Sequence, residues 1–532
     1  GALQWSAPRT YAEIPWSLPC STGIENRSGL SLTDAGKKSG DRTGRSAVSG
    51  DQGALGEFTQ EQGLESIQQM NGMTHLDPRK TIWPGLLTAA MLAYLMQSAG
   101  QPPSITITAV VAWLCMAWWI FEPIPIPVTS LLPMAVFPVT GVLTAEQIGA
   151  SVGSPLIILL MGGFLLSRGM ESTGAHHRVA LTVVNLVGGR RPHRLVLGFM
   201  LAGALLSMWI SNTASALMLM PVALAVLTSC SDRDQLAAPL LLGLAWSCSI
   251  GGLGTPIGTP PNLIFMQVYA ENTEQTISFG KWMSWGVPVV ALLLPLAWWW
   301  VTRALPREID ISLPAVGPWR SAELRVLIIF ALTALAWITR AEPLGGWQAW
   351  FGLPNANDAS VVLLAVLALF IARDNQGEPL IEWRQASQIP WGVLLLFGGG
   401  ICLATAFVAS GLSAQVGDAL TSLAALPVYL MMLLLALAVT FLTEATSNTA
   451  TTALLLPVLA AVALAVELDP LWLMVPAAMS ASCAFMLPVA TAPNAVVFGS
   501  GELPIQRMVR EGFVLNLIGA VVIATVAFGM LA

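Results

Sequence analysis

From Ile82 to the C-terminus, apolar runs of about 20 residues follow one another, separated by short polar or basic loops. A run of that length spans a bilayer as an α-helix. No segment shows the ten-residue alternation of a transmembrane β-strand. A backbone in lipid must satisfy its own hydrogen bonds, so the spans are expected to be helical. The pattern predicts an all-α polytopic membrane protein. Spans fall at about 82–98, 104–121, 125–141, 154–171, 237–270, 282–302, 323–340, 358–372, 391–409, 470–498 and 513–531. Two longer apolar blocks, 195–229 and 425–466, are each interrupted by a polar stretch. The basic, partly amphipathic stretch HHRVALTVVNLVGGRRPHR, just ahead of the first block, is fit to lie on a membrane surface.

The interruptions repeat. Ser211-Asn212-Thr213 returns 236 residues later as Ser447-Asn448-Thr449. The segments SNTASALMLMPVALAV and SNTATTALLLPVLAAV share 9 of 16 positions without a gap, Pro221 with Pro457 among them. The same offset superposes Gly162-Gly163 on Gly398-Gly399, a pair that close helix packing explains as well as function does. Each triplet is followed by a span broken at a Pro-Asn turn, Gly258-Thr259-Pro260-Pro261-Asn262 and Ala490-Thr491-Ala492-Pro493-Asn494. Two halves on one plan are expected: 79–303, with a hairpin at about 195–229 and a broken span at about 237–270, and 304–532, with a hairpin at about 425–466 and a broken span at about 470–498.

Basic residues orient this layout. With the N-terminus inside, and with each interrupted block entering and leaving on one side, the basic loops 176–194, 303–325, 373–384 and 507–510 all fall inside. Full crossings would put two of them outside. The expectation is about eleven spans, two re-entrant hairpins of opposite orientation, inverted repeats, and a C-terminus outside.

Composition adds less. Only 10% of residues are charged, against about a quarter in soluble domains, and the net charge of −6 decides nothing. The six cysteines are scattered and the four histidines lie outside the apolar cores, so neither a disulfide framework nor a histidine metal site is expected. Residues 1–78 are polar and lack an apolar run of spanning length, which predicts a disordered tail or an upstream extension ending near Met70 or Met73. No signal peptide is recognised there. The Trp118-Trp119 and Trp298-Trp299-Trp300 clusters are expected at the membrane interfaces.

Proline deletes a helical N–H and displaces the turn before it. Carbonyls freed at membrane depth persist only when buried in protein or lining a watery site. Together with hydroxyl and amide oxygens they make hard ligands for an alkali cation, while the half-helix N-termini favour an anion. Ser, Asn and Thr serve both without burying a full charge. The triplets contain no Arg or Lys, so a bound dianion would need neutralisation by co-bound cations, which couples the two. One such triplet is ordinarily an interhelical hydrogen bond or a bend; two at one offset, each before a Pro-Asn break, argue for a site. Glu444 is an intramembrane acid, functional by default or shaping the field at a wet hairpin mouth.

The paired SNT triplets, the GTPPN and TAPN turns and the run LPVATAPNAVVFGSG resemble the divalent anion:sodium symporter family, over about residues 80–532. The resemblance implies a homodimer whose protomers each have a scaffold and an elevator-type transport domain. It implies substrate contacts from Ser211, Asn212, Thr213, Thr259, Pro260, Ser447, Asn448, Thr449 and Thr491. It implies one sodium at Ser207, Ser211, Asn212 and Gly258, and a second at Thr443, Thr446, Asn448 and Ala490. Ala492 and Thr259 depart from the proline and serine common in dicarboxylate members.

The expected activity is sodium-coupled import of C4-dicarboxylates such as succinate, malate and fumarate, with sodium as coupling ion and no organic cofactor. Alternatives on the same scaffold are a sodium-independent dicarboxylate exchanger and a sulfate or tricarboxylate carrier. A membrane-embedded enzyme would need a nucleophile–base pair or a metal cluster in the spans, and the sequence shows neither. A bacterial inner membrane is the expected location, with lipid, substrate and a second copy as partners and no nucleic acid.

Overall fold

A computed structural model describes residues 78–188, 191–230, 232–306, 317–341, 345–419 and 426–532. The expected tail, 1–78, lies almost wholly outside these residues. The described residues are helical apart from turns, loops and one isolated bridge between Arg373 and Pro379. The chain is an all-α polytopic membrane protein. Among the described residues, eight helices are long and apolar enough to cross a membrane, and six further apolar helices are shorter.

The chain begins with α1 (Pro78–Ser98), α2 (Pro103–Phe121), α3 (Ile126–Thr129), α4 (Leu131–Thr140), α5 (Ala145–Val152) and α6 (Pro155–Thr173). The span expected at 125–141 is thus two helices. They meet at Ser130, whose hydroxyl turns back onto the Ile126 carbonyl at 2.9 Å and accepts from the Trp119 indole at 3.2 Å. Trp119 is therefore a core residue, 2% exposed, and not the interfacial anchor expected. Trp298 and Trp300 are likewise drawn inward, their indoles donating to the His193 and Glu511 carbonyls, while Trp299 is exposed. An indole N–H beside a bent backbone has a better partner than the interface offers.

The amphipathic stretch forms α7 (Ala175–Val187). Next come α8 (Pro192–Ser207), α9 (Asn212–Thr228), α10 (Arg233–Gly252), α11 (Pro260–Thr273) and α12 (Phe279–Thr302). The second half runs α13 (Ser321–Ile338), α14 (Gly346–Trp350), α15 (Asp358–Ile371), α16 (Trp383–Ala386), α17 (Trp391–Ser410), α18 (Leu412–Ala419), α19 (Val428–Thr443), α20 (Asn448–Ala465), α21 (Leu471–Ser480), α22 (Ala492–Phe498) and α23 (Ile505–Leu531).

α10 is the centre of the core and is buried almost along its length. It packs most closely on α8, as α21 packs on α19 in the second half. The partners cross between the halves: α9 lies against α22, and α20 against α11. Small residues permit these approaches. A Cβ on Gly251 of α10 would stand 2.3 Å from the Ala204 carbonyl oxygen of α8. Gly251→Ala is accordingly expected to destabilise the protein by about 1–3 kcal/mol, read as a lower melting temperature in detergent. The repeated glycine pair is explained the same way. Gly162 faces Val362 of α15, with a Cβ 2.3 Å from its Cγ1, and Gly399 faces the Ser130 carbonyl at 2.2 Å.

Candidate functional site

Each triplet lies where one helix stops and the next starts. α8 ends at Ser207, and Ser211 caps α9, its hydroxyl accepting from the Ala214 N–H at 3.2 Å. α19 ends at Thr443, and Ser447 caps α20, accepting from Ala450 at 3.5 Å. Serine is favoured here because its side chain satisfies an N–H that the helix cannot. The asparagine of each triplet is the first helical residue. Its amide is thereby pointed back at the end of the preceding helix.

Oxygens crowd at that point. The Ser207 hydroxyl is 2.5 Å from the Asn212 amide oxygen and 2.6 Å from the Cys248 carbonyl. That amide position is also 3.2 Å from both the Cys248 and Gly258 carbonyl oxygens. In the second half the Thr443 hydroxyl is 2.6 Å from the Asn448 amide oxygen and 3.0 Å from the Ala481 carbonyl. A hydroxyl has one proton to donate. With an amide oxygen at each point, therefore, at least one contact is oxygen against oxygen. With the Asn212 amide turned over, its nitrogen comes within reach of all three neighbours and has two protons to give them; with the oxygen there, four oxygens converge. An all-oxygen cluster without a basic side chain is the donor set of a small hard cation.

The breaks that supply these carbonyls are built alike. In residues 253–259 the Asn262 amide nitrogen donates to the Gly252 and Thr255 carbonyls at 2.9 and 2.7 Å. In residues 481–491 the Asn494 amide nitrogen donates to the Ala484 and Leu487 carbonyls, both at 3.1 Å. Indoles satisfy two more freed carbonyls: Trp282 reaches Leu253 at 3.0 Å, and Trp246 reaches across the halves to Phe485 at 3.1 Å. The Thr255 hydroxyl donates to the Met208 carbonyl. The breaks meet each other at Thr259 and Ser482, whose hydroxyls are 3.4 Å apart.

The expected site residues divide into groups. Ser207, Asn212 and Gly258 come together, and so do Thr443 and Asn448. Thr259 and Thr491 are buried N-caps of α11 and α22, and Pro260 is the first residue of α11. Thr491 accepts from the Asn494 N–H at 3.3 Å. The Ala490 N–H donates to the Leu487 carbonyl at 3.2 Å. Ser211 and Thr213 line a cleft of about 910 Å³ that also exposes Arg168, Glu171, His176 and His177. The Thr446 hydroxyl turns away from Asn448, onto the Leu442 carbonyl at 2.9 Å and the Thr451 hydroxyl at 2.6 Å. Ser447 and Thr449 are half-buried at the tip. In the cleft, Arg168 is paired with Glu171 at 2.7 Å. Burial holds both His176 and His177 below the ordinary imidazole range, so neither adds charge at neutral pH.

Several participants escape a residue-type search. The Cys248 and Ala481 carbonyls come from positions whose side chains carry no signal. Glu444 shows its role only in three dimensions. Its carboxylate, 4% exposed, accepts from the backbone N–H groups of Phe485, Met486 and Leu487 at 2.6, 2.8 and 2.9 Å, and from the Asn516 amide at 2.8 Å. It binds the tip of α19 to the second break. A charge at this depth is retained where hydrogen bonds meet it from every side.

A family model described as a citrate transporter matches residues 116–478. The sodium-dependent dicarboxylate transporter SdcS of Staphylococcus saprophyticus is 39% identical over 472 residues, 84% of this chain and 90% of that protein. The chain belongs to the divalent anion:sodium symporter family. The SdcS protein of Staphylococcus aureus strain NCTC 8325 is 39% identical over 448 residues, 80% of this chain and 85% of its own length. Among solved structures, the Alcanivorax borkumensis YdaH transporter shares the fold with a TM-score of 0.53 and 14% identity, covering 81% of this chain and 99% of that one. The protein is thus a membrane transporter and not an enzyme.

Proposed function

We propose that this transporter imports C4-dicarboxylates together with sodium. The observation that carries the reading is the pair of clusters, Ser207–Asn212–Cys248–Gly258 and Thr443–Asn448–Ala481, each gathering hydroxyl, amide and carbonyl groups with no basic side chain among them. Sodium would be held there, with the Gly258 and Ala490 backbones and that of Thr446 completing the shells. The Asn212 amide turns its oxygen inward as the ion enters. Two cations offset the charge of one dianion, which Ser211, Thr213, Ser447, Thr449, Thr259 and Thr491 hold between the tips. The names of the SdcS relatives support sodium and a dicarboxylate over sulfate or citrate.

In this reading α8–α9 and α19–α20 are the re-entrant hairpins. Their arms have 16 to 18 residues. At 1.5 Å per residue they are about 24–27 Å long; three of the four are shorter than the eight spanning helices, and α20 has the shortest length found among those. The halves are inverted repeats, and the hairpins with their broken spans move as an elevator against a scaffold that forms the homodimer. The N-terminus lies in the cytoplasm of a bacterial inner membrane and the C-terminus outside, as the basic loops require.

Labelled succinate uptake into proteoliposomes tests this. An inward sodium gradient is expected to drive accumulation, and potassium in its place to give none. Uptake indifferent to sodium but dependent on internal dicarboxylate would replace the symporter with an exchanger.

A further inference from the structure

The turns after the triplets carry a second layer of correspondence. Asn262 reaches back ten and seven residues, to the carbonyls of Gly252 and Thr255. Asn494 reaches back the same ten and seven residues, to Ala484 and Leu487. In each half the nearer carbonyl also takes a backbone N–H: that of Gly258 onto Thr255 at 3.3 Å, and that of Ala490 onto Leu487 at 3.2 Å. Gly258 and Ala490 are the turn residues that offer their backbones to the cations. The farther carbonyl is linked to the site as well. A Cβ on Gly252 would stand 2.7 Å from the Asn212 amide oxygen and 3.3 Å from the Gly258 carbonyl oxygen. One on Gly258 would stand 2.5 Å from the Gly252 carbonyl.

We infer that Asn262 and Asn494 are positioning residues for the two sodium sites, each clamping the turn that presents the Gly258 or Ala490 backbone. Both side chains are fully buried, and both use the amide nitrogen twice while the amide oxygen finds no donor. Two carbonyl acceptors on one nitrogen forbid the flipped amide, because an oxygen there would meet two oxygens. The clamp therefore has a single orientation, unlike Asn212, whose amide has partners either way round. Aspartate cannot replace it, for the same reason. Glutamine, one methylene longer, would push the turn into its neighbours.

The geometry separates clamping from ligation. Neither asparagine touches Ser207 or Thr443, and each acts through the backbone seven and ten residues before it. Loss of the clamp thus loosens the carbonyl ligand while leaving the triplets intact. Sodium affinity falls first, and dicarboxylate affinity falls only through its coupling to sodium.

The inference rests on the sodium-symport reading, and one set of measurements distinguishes their failures. Asn262→Leu and Asn494→Leu keep the size and remove both donors, whereas Asn262→Ser and Asn494→Ser keep one hydroxyl donor. For each purified full-length variant, three quantities are measured in proteoliposomes: the sodium concentration for half-maximal succinate uptake, the succinate KM at saturating sodium, and the maximal rate. The sodium requirement is expected to rise about tenfold or more in the Leu variants and by an intermediate factor in the Ser variants, the order expected when buried carbonyls lose one or both donors. The succinate KM at saturating sodium should stay within about twofold. A merely structural role would lower the melting temperature and leave the sodium requirement alone. Unchanged sodium requirements in the variants overturn the inference. Where the Leu variants fail to fold, the Ser variants carry the test by the same criterion. Sodium-independent uptake by the unmodified protein overturns the symport reading itself.

Discussion

Asn212→Ala and Asn448→Ala are each expected to abolish sodium-driven succinate uptake, by about a hundredfold or more, in protein that still folds. Each asparagine sits where a cation cluster and a helix N-terminus meet. The amide group belongs to the cluster, at 2.5 Å from Ser207 in one half, where its nitrogen and oxygen can exchange places, and with its oxygen 2.6 Å from Thr443 in the other. In the proposed site the backbone N–H groups at the starts of α9 and α20 would face the anion. Truncation removes a cation ligand and, through coupling, the charge that makes a dianion tolerable there. Reciprocity requires both half-saturation values to rise together in any residual activity. Folding should survive because the N-caps, Ser211 and Ser447, remain in place. The check is initial uptake rate alongside size-exclusion behaviour and melting temperature. A wild-type rate in either variant removes that triplet from the site.

Glu444→Ala should have the largest effect on stability. Three backbone N–H groups and the Asn516 amide converge on this one carboxylate; alanine takes the acceptor from all four, and only the Phe485 N–H keeps another, the Asn516 amide oxygen at 3.3 Å. Breaking a buried charged cluster from one side costs about 3–5 kcal/mol. Failure to purify as a monodisperse protein is the expected result. Glu444→Gln keeps the size and one acceptor oxygen and should lie between. Asn516→Ala removes two bonds, the amide N–H to Glu444 and the amide oxygen that accepts from the Phe485 N–H, and should cost about 1–2 kcal/mol. Thermal unfolding in detergent orders the series. A Glu444→Ala protein as stable as the Asn516→Ala protein would show that the carboxylate is not the tie described.

The repeat was legible because its cause is local. A polar triplet capping a helix and a proline-broken span leave a mark on the sequence at every depth, and the mark occurs twice. The Cys248 and Ala481 carbonyls that meet Ser207 and Thr443 were not legible, since a backbone carbonyl is offered by every residue type. Their role depends on where α10 ends and on the path the chain takes after α21. The Thr446 hydroxyl illustrates the converse: its residue type was legible, but its bonds to the Leu442 carbonyl and the Thr451 hydroxyl were not. Trp119 was misplaced because an indole reads as interfacial until a buried hydroxyl such as that of Ser130 offers it a partner. Glu444 stood out as a charge among apolar residues, but its partners, the N–H groups of 485–487, have no side-chain signature at all.

The crossed packing of the halves has a consequence for biogenesis. α9 is complete once Thr228 leaves the ribosome, yet its neighbour α22 begins only at Ala492. At 5–20 residues per second the interval is on the order of ten to fifty seconds. Throughout it, the tip that will hold substrate stands in the membrane without its counterpart, so the first half is an unfinished client of insertion and quality-control machinery. A chain truncated anywhere before Ala492 should be degraded and not stored. The same arrangement makes the two halves mutual chaperones: supplied as separate polypeptides, each offers the other the surface it lacks.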